Sequence, residues 1–112
     1  MTLANFLLLF LAIQFVHFLE EVFTDFHKKF PPFKMPLWVF VTFDLLFQGF
    51  FWLVWWNEAM IYRETWMHVF ALLMFANGIW HIVWWAIEKK YVPGLLTAPL
   101  HLIAFIYFYF SL

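Results

Sequence analysis

The chain contains no cysteine, and only 12% of its 112 residues are charged. The first absence removes disulfides, thiolate metal sites and cysteine nucleophiles together. The second lies far below the roughly one quarter usual in soluble domains, so water is not the main solvent of this surface. Cationic residues are scarce too. Six lysines and arginines leave a net charge of −1, which excludes the basic face that a nucleic-acid partner demands. Apolar residues fill the deficit: 67% of the chain is hydrophobic and 27% is aromatic. A chain of this length fits a single domain, residues 1–112, with no room for a separate soluble module.

Apolar runs occupy about residues 3–23, 35–56, 66–87 and 95–112. Each holds roughly 18–22 residues, enough to cross ~30 Å of hydrocarbon as a helix. The first run lacks a basic leader segment and is too long for a signal peptide, so it reads as a retained span. The separators are short. Residues 24–34 carry Pro31-Pro32 and three lysines, and Pro36 suits the first turn of the second helix. Residues 57–65 carry Glu58, Arg63 and Glu64, while residues 88–94 read Glu-Lys-Lys-Tyr-Val-Pro-Gly. Short connections predict an all-α, antiparallel four-helix bundle embedded in the membrane. Lys28, Lys29, Lys34, Lys89 and Lys90 share the face of the first and third loops, with only Arg63 opposite. The positive-inside rule then places the lysine loops in the cytoplasm and both termini outside. Trp and Tyr near the span ends read as interfacial belts, with a π-rich pocket as the other reading.

Ionisable groups are expensive in hydrocarbon, and His17-Phe18-Leu19-Glu20-Glu21 places three within about one helical turn. Gln14, His17 and Glu21 share one face by their spacing. The second span offers Asp44 and Gln48, the third Asn77 and His81, and the fourth Thr97 and His101, each pair four residues apart. At 1.5 Å per residue His17, Asp44, His81 and His101 all fall ~9–14 Å below the lysine-bearing face. Four helices thus aim polar groups at one layer, whereas the outer half has only Asn5 and His68. His27 and His68 fall outside this layer. Histidines with carboxylates suit a hard-to-borderline divalent ion such as zinc, iron or manganese. The competing account is interhelical hydrogen bonding, which applies to Asp44, Gln48, Asn77 and a singly considered His101. Whether Glu20 or Glu21 faces the centre stays open, because the two lie 100° apart on the helix.

The motif His17-Phe18-Leu19-Glu20-Glu21, the downstream His81, and Tyr91-Val92-Pro93-Gly94 together resemble the HXXEE family of small multi-span membrane proteins. The resemblance covers most of the chain and carries His17, Glu20, Glu21, His81, Tyr91, Pro93 and Gly94. His101 and Asp44 enter only through their depth. No activity comes with the family. The resulting expectation is a metal-dependent membrane enzyme with His17, Glu21 and His81 as ligands, His101 or Asp44 completing the shell, and Glu20 as general base. Gln14, Gln48, Asn77 and Tyr91 support the site. Tyr91 reads foremost as a headgroup-level anchor, and Pro93-Gly94 as the turn into the fourth helix. The expected partners are membrane lipids and a lipid-like or isoprenoid substrate entering sideways, with a homo-oligomer or larger membrane complex open as well. The alternative is a non-catalytic subunit ligating haem or a chlorophyll-type pigment, which the adjacent carboxylates do not require. A proton conduit is a third reading, weakened by the apolar outer half.

Overall fold

A computed structural model describes residues 1–112. The chain is all-helical, with α1 at Leu3–Phe23, α2 at Phe26–Lys29, α3 at Leu37–Trp56, α4 at Arg63–Glu88 and α5 at Ala98–Phe110. α1, α3 and α4 are long and apolar enough to cross a membrane. The local chemistry explains where they begin and end. The Thr2 hydroxyl caps α1 by accepting from the Asn5 amide at 3.1 Å. Pro36 stands just before α3, where a missing N–H does no harm. At the far end of α3, Arg63 donates from Nε to the Val54 carbonyl at 2.8 Å and from Nη2 to the Trp55 carbonyl at 2.6 Å. Those bonds satisfy carbonyls that the helix itself leaves open and place a cation at the negative end of its dipole.

Two expectations need correction. Residues 24–34 are not all loop, because Phe26–Lys29 closes one short helical turn and buries Phe26. The fourth helix does not run from 95. It starts at Ala98 and has 13 residues, so it rises about 20 Å, short of a full hydrocarbon crossing. The cause is local: the Leu96 and Thr97 amides are taken by the Glu20 carboxylate, and Pro99 fits only the first helical turn. Between α4 and α5 the expected turn is buried at Val92, Pro93 and Gly94.

α1 packs against α3, α4 and α5, and α4 lies along α5. Gly78 permits that last approach, because a Cβ there would sit 2.9 Å from Leu102 Cδ2 and 3.0 Å from the Ala98 carbonyl oxygen. The interior falls into three parts. One apolar cluster joins residues of α1, α3, α4 and α5, including Phe10, Phe51, Phe70 and Phe108. A smaller one joins Phe18, Phe26, Phe40, Trp84 and Val92. Along α1, α3 and α4 the buried polar side chains sit next to or between these clusters: Gln14, His17 and Glu21; Asp44 and Gln48; His81. Trp84 therefore departs from the belt reading, being 3% exposed in the core, whereas Trp38 and Trp56 are open at 71% and 75%.

Candidate metal centre

His17 and Glu21 are one helical turn apart on α1, and both side chains turn inward. His81 on α4 meets them, its Nε2 lying 3.1 Å from His17 Nε2. Glu21 stands 3.5 Å from both, with Oε1 toward His17 Nε2 and Oε2 toward His81 Nε2. All three residues are at most 5% exposed, and their ligand-type atoms lie within 4.8 Å of one another. The question left between the two glutamates is thus answered by helix rotation: Glu21 faces the imidazoles and Glu20 does not.

Glu20 points to the segment before α5. Its carboxylate accepts from the Leu96 amide at 3.0 Å, the Thr97 amide at 2.9 Å, the Thr97 hydroxyl at 2.6 Å and the Tyr91 hydroxyl. It is a helix cap supplied from another helix, placed where the α5 dipole favours an anion. Thr97 also connects the two glutamates' surroundings. A carboxylate only accepts, so the Thr97 proton is directed at Glu20, and Thr97 Oγ1 accepts from His17 Nδ1 at 2.6 Å. This chain of bonds holds the proton of His17 on Nδ1 and presents the Nε2 lone pair to His81 and Glu21.

Tyr91 thus closes over Glu20 in addition to lying near the surface. Burial and its bond to the Glu20 carboxylate push the phenol up to about 12, so it stays a donor at neutral pH. Gly94 brings backbone against the centre with φ at +91°, and an added Cβ would strike His81 Cε1 and lie 2.7 Å from His17 Cε1.

The remaining expected residues divide. His101 is buried, with its ring 5.0 Å from that of His17 and neither nitrogen hydrogen-bonded, yet it stands outside the three-residue group. Asp44 also stands outside it, held by the Gln48 amide of the same helix. Asn77 donates to Gln14 Oε1 at 3.4 Å, linking α4 to α1. His68 is exposed and rests on Phe108, away from the centre. His27 is buried on α2 but makes no contact with the three ligand-type side chains through a hydrogen bond. The residue that sequence reasoning undervalued is Thr97. Its position four residues before His101 marks the right face, but nothing local marks its bonds to His17 and Glu20.

A family model described as a protein of unknown function with HXXEE motif matches residues 8–109. The chain belongs to the HXXEE family. No curated protein and no solved structure matches it. In this HXXEE protein the motif's histidine and second glutamate meet the downstream His81, while its first glutamate ties down the Tyr-Val-Pro-Gly segment. The three letters that define the family thus perform two different tasks.

Proposed function

We propose that this chain is a metal-dependent integral membrane enzyme, an antiparallel four-helix bundle that acts on a lipid-like or isoprenoid substrate from the cytoplasmic leaflet. The observation that carries the reading is the triangle of His17 Nε2, His81 Nε2 and the Glu21 carboxylate, with edges of 3.1, 3.5 and 3.5 Å. Ligand bonds of 2.0–2.2 Å in tetrahedral geometry imply donor separations of ~3.4 Å. Zinc, iron or manganese would fit this donor set. Two imidazole lone pairs so close repel unless a proton or cation lies between them, and a buried carboxyl beside them needs a counter-charge or a proton of its own. His81 Nδ1, buried and without a partner, is free to carry the ring proton once Nε2 serves as ligand.

Three protein ligands and a fourth position left open are the pattern of catalytic rather than structural sites. A divalent ion held there would lower the pKa of water at the open position, which makes hydrolysis the default reaction. Glu20 is reassigned from general base to positioning residue, since four donors already occupy its carboxylate. His101, with two unpartnered nitrogens beside His17, takes the acid–base role. The mutually facing imidazoles favour a single ion over a haem or pigment, which takes an axial ligand on the open face of a flat ring.

Elemental analysis of protein extracted in mild detergent without chelators tests this. The expected result is close to one transition-metal ion per chain, lost in His17→Ala, Glu21→Ala and His81→Ala and retained in His68→Ala. Metal-free wild-type protein, or equal occupancy in all four variants, would overturn it.

A further inference from the structure

A groove of about 620 Å³ runs between α3 and α4, with α1 forming its floor. Its walls are apolar, chiefly Phe40, Phe43, Phe47 and Met74, and its rim is open, with Phe43 68% and Phe33 59% exposed. That volume falls within the range that encloses one small molecule. The polar atoms that line it come from Gln14, Glu21, Asp44 and Asn77, two carboxylates and two amides. No lysine or arginine lines it. Lys28, Lys29, Lys34 and Lys90 gather instead in a separate cleft of about 380 Å³ beside Trp84 and Pro93.

Charge decides what this groove accepts. An anionic head group seated beside Asp44 meets carboxyl oxygens in low dielectric and no lysine or arginine in the lining. A donor-bearing head group meets acceptors. Behind the wall, the Gln48 amide N–H₂ is turned to Asp44 and helps fix its carboxyl in place. In the lining itself, two carboxyls and two amides offer more oxygen acceptors than nitrogen donors. A second cleft of about 400 Å³ shares Glu21 and Asn77 with the groove and reaches His81, so a molecule seated by Asp44 adjoins the metal centre.

We infer that the groove binds a single-chain lipid whose head group is a hydrogen-bond donor without negative charge, a long-chain alcohol or amine, with that head at Asp44 and its chain between α3 and α4. The inference rests on the enzymatic reading for its purpose, but its test is a binding measurement that does not require turnover. Labelled hexadecanol, hexadecylamine and hexadecanoate are each titrated into the purified protein in detergent micelles, with metal content measured on the same samples.

The alcohol and the amine are expected to bind at least about tenfold more tightly than the carboxylate, the ratio that ~1.4 kcal/mol provides. Asp44→Asn should erase the preference for the amine over the carboxylate. Val39→Trp, which adds bulk to the groove wall away from the polar end, should weaken all binding while leaving metal content intact. Carboxylate binding as tight as the alcohol's in wild-type protein would overturn the inference, as would full binding by Val39→Trp. If Asp44→Asn does not fold, the head-group series and Val39→Trp still decide. Metal-free protein that keeps the head-group preference would sink the enzymatic reading alone. Metal-loaded protein without the preference would sink this one alone.

Discussion

A methyl group added at Gly94 would collide with His81 and crowd His17, and the same residue sits at a positive φ that L side chains rarely adopt. The two penalties act together, so Gly94→Ala can keep its fold only by pushing the imidazoles apart. The cost is on the order of 1–3 kcal/mol for overpacking, with about 1–2 more for the backbone. Metal content is expected to fall below half of wild type while the helical circular dichroism persists. Gly49→Ala, whose Cβ meets nothing within 4 Å, serves as the control. Wild-type metal content in Gly94→Ala would show that the turn does not brace the ligands. The role of Gly94 cannot be read from its sequence neighbours. Pro93-Gly94 announces a turn in any chain, and only the fold shows that the turn is buried against two histidines. His17, Glu21 and His81 are different, because ionisable groups within apolar runs stand out from the residue pattern alone.

α5 is a short helix held by a carboxylate from α1. The Leu96 and Thr97 amides just before it and the Thr97 hydroxyl all converge on Glu20, and Thr97 passes that anchorage to His17 Nδ1. Removing the hydroxyl should therefore act at a distance on the proposed metal site. Thr97→Val is expected to lower metal affinity about 10–100-fold, the usual effect of losing a ligand's outer hydrogen bond. Thr97→Ser, which keeps the hydroxyl, should restore it, whereas a purely steric role would leave Val as good as Ser.

Tyr91 adds a pH signature to the same junction. Its folded pKa of about 12 exceeds its ordinary value of 10.0, so the protonated phenol is the stabilised form. Its contribution is complete below pH 10 and disappears as the pH rises through about 12. Thermal melts of Tyr91→Phe and wild type should thus differ at pH 8 and converge above pH 12. A constant gap would contradict the bond to Glu20. The existence of the long helices is plain from the apolar runs, and the first run coincides with α1 at Leu3–Phe23. The start of α5 is not legible in this way, because a tertiary bond to Glu20 outcompetes the helix that Leu95 and Leu96 would otherwise extend.

For the molecule as a whole, the exposed surface carries Leu46, Phe43, Ile79, Ile103 and Phe110 among many large apolar side chains, a coat that water would drive into aggregates. α1, α3 and α4 are long enough to cross a bilayer, and α5 is shorter. α5 alone rises about 20 Å against a hydrocarbon thickness of ~30 Å. The missing length would have to come from residues 92–97, which are irregular backbone. Such backbone is tolerated at membrane depth only where protein satisfies it. Val92, Pro93 and Gly94 are buried here, and Glu20 takes the Leu96 and Thr97 amides. Segment and helix together should therefore complete a fourth crossing, aided by modest local thinning of the bilayer. The absence of cysteine makes this directly measurable, since any introduced thiol is unique. For four crossings with both termini outside, Ser111→Cys is expected to react with a membrane-impermeant maleimide on intact cells, as is Glu58→Cys on the loop opposite the lysines, whereas Lys29→Cys and Lys90→Cys react only after lysis. Ser111→Cys reacting together with Lys90→Cys would make α5 a re-entrant element and leave three crossings. Glu58→Cys reacting only after lysis, with Lys29→Cys exposed, would invert the orientation drawn from the lysines and turn the proposed metal centre to the outer leaflet.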